Sequence, residues 1–141
     1  MSERFAFRLV EGPVDGAWAL AAVHGTDAGC TLLFLGTARA SSGGRAVLRL
    51  EYEAYGAMVE PEMRCIAEDA LARHAVLRIA VEHSAGTVPA GAGSVAVAIA
   101  AAHRSEVFAA GAFVMNELKM RAPIWKREVF ADGSSSRVQG S

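Results

Sequence analysis

Lys119 lies near the end of a predicted helix and Lys126 in the segment after the Pro123 break, so a tight turn can fold one ammonium back towards the other. Lysines near a helix C-terminus complement the helix dipole, a plain structural account of Lys119. Lys126 is odder, because it follows Trp125 inside the mostly apolar Pro-Ile-Trp-Lys, where a purely solvated lysine has little reason to alternate with such neighbours. Arg39 comes just after an apolar run and its Gly36 turn, in a loop whose glycines let backbone approach a ligand closely. His103 and Arg104 close an uncharged stretch immediately before a helix start at Ser105. Two cationic groups and free helical N–H donors there converge on a point suited to phosphate. If both ammonium groups share one pocket with Arg39 and Arg104, repulsion and desolvation lower a lysine pKa. A neutral lysine is a nucleophile or a base.

The other candidates carry less. His24, His74 and His83 lack metal-ligand spacing and are assigned structural or surface roles. Cys30 and Cys65 form no CxxC or Cys/His pattern and are expected to be small core residues in a reducing compartment. The charges of Arg49, Glu51 and Glu53 make a wet strand face and receive no catalytic role.

These residues must be held by a scaffold of modest size. With 141 residues, 52% of them apolar, the chain suits one domain. A formal charge of −1 gives no global field for anions, so nucleic acid is excluded as a partner and any anion site must be a local cluster. The N-terminus has no signal-peptide core, and the uncharged stretch from Ser84 to Ala102 is too small-sided and too broken by Pro89 to span a bilayer. A cytoplasmic protein off the membrane is the expectation.

Alternation predicts strands over Phe5 to Val10, Leu48 to Ala54, Ile79 to His83, Val95 to Ile99 and Ile124 to Phe130. The continuous apolar run Cys30 to Leu35 reads as a strand buried on both faces, followed by a mobile loop from Thr37 to Arg45. Helical spacing predicts a short helix capped by Asp15, a second through Met63, Ile66 and Leu71 with Pro61 in its first turn, and a third from Ser105 to about Arg121. The order β-α-β-β-α-β-β-α-β defines an α/β or α+β domain over residues 1–130, with 131–141 as a frayed, flexible C-terminal tail.

Phe34 to Arg39 (FLGTAR), Leu50 to Met58 (LEYEAYGAM), Ala101 to Phe108 (AAHRSEVF) and Glu117 to Glu128 (ELKMRAPIWKRE) share their order and spacing with one family. From about Phe5 to Gly133 the chain resembles the large, catalytic subunit of molybdopterin synthase. The resemblance implies a single-domain α/β hammerhead-type fold, with a mixed and antiparallel sheet and about three helices. It also implies a homodimer at the centre of a heterotetramer, with a small ubiquitin-like sulfur-carrier subunit at each end. The partner's C-terminal Gly-Gly thiocarboxylate would enter the large subunit's pocket. Its sulfur would pass to cyclic pyranopterin monophosphate, generating the dithiolene of molybdopterin without a metal or other cofactor. Carried over, Lys119 and Lys126 match the family's essential lysines, and Arg39, His103 and Arg104 its substrate-binding cations. Lys119 would stand closest to the transferred sulfur, and Lys126 would stabilise charge or exchange a proton.

Three positions depart from the family pattern. Asn116 replaces a usual aspartate, Ser84 a common arginine, and the usual tryptophan beyond Gly133 is missing, leaving Arg137 as the tail's only cation. Two other readings compete with catalysis by lysine. One is a non-catalytic module that docks a ubiquitin-like partner or small anion. The other is a sulfurtransferase working through a persulfide on Cys30 or Cys65, whose apolar settings offer no thiolate-stabilising cation nearby in sequence.

Overall fold

The chain is described here by a computed structural model covering residues 3–139. Its elements run β1 (Phe5–Val10), α1 (Ala17–Val23), β2 (Cys30–Thr37), β3 (Ser41–Ser42), β4 (Arg45–Ala54), α2 (Gly56–Arg73), β5 (Arg78–Ser84), β6 (Thr87–Pro89), β7 (Gly93–Ala101), α3 (Arg104–Arg121), β8 (Ile124–Phe130) and β9 (Ser135–Gln139). One sheet has the order β1-β5-β7-β2, with β1 parallel to β5 and the remaining pairs antiparallel. The other has the order β3-β4-β8-β9, with β6 also on β4. The mixed α/β class and the three helices match the expectation.

The uncharged stretch before His103 is explained by β7, every residue of which is buried. Its alternation serves two layers. Ala96, Ala98 and Ala100, with Ala80 of β5, face Ala19 and Val23 of α1, where small side chains let the helix approach. Val95, Val97 and Ile99 face the larger core against α2 and α3. Val59, Met63, Ile66 and Ala70 of α2, and Val107, Val114 and Leu118 of α3, supply that core at helical spacing. Fully burying a side chain such as Ile99 or Leu118 contributes roughly 1.5–3 kcal/mol. Arg121 then ties α3 to α2, reaching Glu62 at 2.7 Å and Asp69 at 2.8 Å while also pairing with Glu117.

Several expectations need correction. β2 is not buried on both faces but forms a sheet edge paired only with β7, leaving Phe34 and Leu35 about 40% exposed. An apolar run cannot by itself separate a central strand from an edge strand with an apolar surface. The Thr37 to Arg45 loop contains β3, folded onto β4 through Gly43 and Gly44, both at positive φ, as a tight hairpin turn requires. The supposed frayed tail is ordered as β9 against β8 through Gln139, with Arg137 paired to Glu53; Gly140 and Ser141 lie outside the described residues. α2 starts at Gly56, so Pro61 falls beyond its first turn. α3 begins at Arg104 with His103, not Ser105, at its cap, and Asp15 bonds the Ala17 N–H while Gly16 occupies the cap position of α1. Cys65 is exposed on α2 rather than in the core.

Candidate functional site

Where the two sheets and α3 meet there is a cleft of about 320 Å³, and each cation in it is placed by a different element. Arg39 follows β2, whose register with β7 shifts at Gly36 and Thr37. The next residue, Ala38, is buried and bonded on both sides, its N–H to the Ala92 carbonyl and its carbonyl to the Gly91 N–H, so the loop holding Arg39 is anchored. Lys119 stands in the last turn of α3. That helix stops at Ala122, and the chain turns at Pro123 into β8, which carries Lys126 opposite Tyr52 of β4. Arg39, Lys119 and Lys126 thus line one cleft, as their types suggested, and the two lysines are the only ones in the chain.

The cleft's electrostatics follow from this crowding. Half-burial lowers the Lys126 pKa below its ordinary 10.5, and the neighbouring Lys119 and Arg39 push the same way, while Glu128 opposes them. Glu128 shares the inward face of β8 with Lys126, so its carboxylate sits among the cations. Tyr52, Ser94, Phe34 and Met115 also line the cleft. Burial and Glu128 raise the Tyr52 pKa above 10.0, with Ser94 opposing. Behind Tyr52 lies His83, fully buried and edge-on to it at 5.0 Å between ring centroids, its pKa pushed down by burial to about 4.

Sequence reading missed Tyr52, Glu128 and Ser94. Alternation could have found the first two: Tyr52 is the inward residue of a strand whose Glu51 and Glu53 point away, and Glu128 lies two residues from Lys126 on the same face. A smaller cleft of about 170 Å³ shares Tyr52 and Lys126 and adds Glu51, Glu53, Trp125, Arg127 and Arg137.

His103 and Arg104 do not join this group. They are exposed at the opposite end of α3, sixteen and fifteen residues from Lys119, a helical span of roughly 22 Å for Arg104. The cysteines line neither cleft. Cys30 Sγ points to the Ala101 carbonyl at 3.6 Å, and among the described residues no cluster of His, Cys, Asp or Glu could hold a metal. Likewise, no described helix is long and apolar enough to cross a membrane.

Fold and cleft together define a mixed α/β protein with a cleft lined by two lysines and an arginine. The sequence profile of the MoaE protein family matches residues 9–121, and the chain belongs to that family. It is 45% identical over 122 residues to the molybdopterin synthase catalytic subunit of Oryza sativa subsp. indica, covering 86% of this chain and 63% of that longer protein. The solved molybdopterin biosynthesis MoaE protein from Burkholderia ambifaria MC40-6 superposes with a TM-score of 0.79 at 30% identity, covering 96% of this chain and 90% of that one. A chain in a protein-protein complex of subunit 1 and 2 of molybdopterin-converting factor from Helicobacter pylori 26695 shares the fold, with a TM-score of 0.75 at 20% identity over 94% of this chain and 88% of that one.

Proposed function

We propose that the protein is the catalytic subunit of a molybdopterin synthase, transferring sulfur from the C-terminal thiocarboxylate of a small ubiquitin-like partner to cyclic pyranopterin monophosphate. The observation that carries this reading is the convergence of Lys119, Lys126 and Arg39 in one cleft, with the Lys126 ammonium held below its ordinary pKa. Both reactants are anions. The thiocarboxylate sulfur forms a bond to a substrate carbon as a carbon–oxygen bond there breaks, the oxygen leaving as the opened phosphate ester in one transfer and as water in the other; water then cleaves the acyl–sulfur bond, leaving sulfur on the pterin and a carboxylate on the partner. Two such transfers make the dithiolene. Lys119 would face the partner's terminal carbonyl and the moving sulfur, and Lys126 would stabilise developing charge or pass a proton as the cyclic phosphate opens. Arg39 would hold the phosphate.

His103 and Arg104 cannot reach the same substrate from their own chain if Lys119 does. They enter this reading through a second copy: in a homodimer, each chain would supply His103 and Arg104 to the other's cleft. The exposed Phe34 and Leu35 on the free edge of β2 support such an apolar contact, and Phe34 also lines the cleft. A small subunit on each outer end would complete a heterotetramer, in keeping with the Helicobacter pylori complex of two subunits. The cytoplasm is the compartment that suits a free, exposed Cys65 and a biosynthetic role.

The test is single-turnover formation of molybdopterin by wild type, Lys119→Ala and Lys126→Ala, each with thiocarboxylated partner and cyclic pyranopterin monophosphate. Loss of product in either variant with partner binding retained supports the enzyme. Folded, partner-bound wild type that forms no product leaves a docking module instead.

A further inference from the structure

Tyr52 is 6% exposed, and its environment fixes which part of it a ligand could meet. It stands directly across from Lys126 in the β4–β8 register, so the two side chains leave the same face of the sheet as neighbours. The ring is packed edge-on against His83, at an interplanar angle of 83°. The groups that act on the hydroxyl are Ser94 and Glu128, and both line the cleft. It is therefore the phenolic end that borders the ligand space.

That hydroxyl has a proton to give. His83 Nε2 has no hydrogen-bond partner among the described residues, so the phenol is not spent on the imidazole beside it. Ser94 donates its own hydroxyl hydrogen to the Gly36 carbonyl at 3.2 Å, and it lowers the phenol's pKa, the opposite of what a group accepting the phenolic proton would do. A neutral hydroxyl oxygen is a weaker acceptor than an anion. Burial raises the phenol's pKa above 10.0, so it is protonated at neutral pH. Lys126, Lys119 and Arg39 draw an anion to the space in front of it, and Glu128 keeps the cleft from being uniformly positive.

We propose that the Tyr52 hydroxyl is a further substrate-contacting group of this cleft, donating a hydrogen bond to the anionic substrate beside Lys126. The inference rests on the reading of the cleft as the site of sulfur transfer, and goes beyond it by naming a neutral donor among the cations. Tyr52 supplies direction where the ammonium groups supply charge. It would orient the bound anion without adding to the repulsion that already burdens Lys126.

The chain has two tyrosines, so Tyr55→Phe leaves Tyr52 as the only phenol. Tyr55 is exposed and bonds Glu53 outside the larger cleft. Tyr55→Phe protein carrying ring-labelled tyrosine is titrated with cyclic pyranopterin monophosphate and, separately, with inorganic phosphate, while the Tyr52 resonance is followed. In parallel, Tyr52→Phe is compared with wild type in single-turnover product formation with the thiocarboxylated partner. A saturable shift of the resonance, and a rate lowered roughly 10- to 100-fold as expected for one hydrogen bond to a charged group, are the supporting results. A Tyr52→Phe complex as fast as wild type, or a resonance unmoved while substrate binds, overturns the proposal. If Tyr52→Phe does not fold, the resonance decides alone, since Tyr52 is then intact. If wild type makes no product, a Tyr52 resonance that still moves with phosphate sinks sulfur transfer but keeps the anion contact, and an unmoved resonance removes both.

Discussion

Lys126 in the cleft and His83 behind it show how burial disfavours charge. For Lys126, desolvation and the cations Lys119 and Arg39 favour the neutral amine, and Glu128 alone favours the ammonium. Removing that carboxylate should lower the Lys126 pKa further. Because the chain has only two lysines, labelled ε-amines give two titrating side-chain signals, and Glu128→Gln should move the Lys126 midpoint to lower pH. A midpoint that stays or rises would mean the carboxylate does not face the amine. For His83 the consequence is stability. Its folded pKa is about 4 against an ordinary 6.5, so between those values the unfolded chain takes up a proton that the folded one refuses. Stability is complete above the unfolded value and falls as pH drops through the window. The loss amounts to about 3 kcal/mol once both forms are protonated. Denaturant midpoints measured across this range should show that decline in wild type and a flatter profile in His83→Gln.

At the level of elements, Gly93 joins the strand core to the site. A β-carbon there would lie 2.1 Å from the Val14 carbonyl oxygen, which is backbone and cannot step aside, and the Val14 N–H donates to Gly93 O at 3.0 Å. Gly93→Ala should therefore cost roughly 2 kcal/mol or more in a denaturant titration, and it should disturb Ser94, the next residue, in the cleft. The elements with a clear period were legible in the sequence. β4 alternates, α2 and α3 repeat at helical spacing, and β7 reads as apolar because both its faces are covered. The short strands were not, for a physical reason. Thr87–Pro89 and Ser135–Gln139 have little apolar pattern of their own and exist by pairing with β4 and β8, a tertiary fact. Pro89 is tolerated because it sits on a strand at the sheet margin. The same distinction holds for the site. Lys126 announced itself by standing in an apolar strand, whereas the role of Ser94 depends on the β2–β7 register that brings it to Gly36.

For the molecule as a whole, the net charge of −1 means that the cations of the cleft are a local concentration of charge, not a general property of the surface. Three cations in the cleft are legible from one chain; His103 and Arg104 are not, because α3 separates them from Lys119 by its length. Of the five residues the sequence suggested as one group, a single chain brings three into the cleft and holds His103 and Arg104 apart. If a second copy closes the gap, each complete site draws Lys119 from one chain and Arg104 from the other. Lys119→Ala and Arg104→Ala homodimers would then each lack one component at every site. In a mixed dimer, however, both lesions fall in the same site and the other site is intact. Equal amounts of the two variants, unfolded and refolded together, should give half mixed dimers and so recover roughly a quarter of wild-type sites. Molybdopterin formation in single turnover by the mixture, set against each variant alone, reads this directly. Recovery near that level would establish the shared site. No recovery, with mixed dimers demonstrated by mass, would return Arg104 to a role within its own chain and leave Arg39, Lys119 and Lys126 to hold the substrate without it.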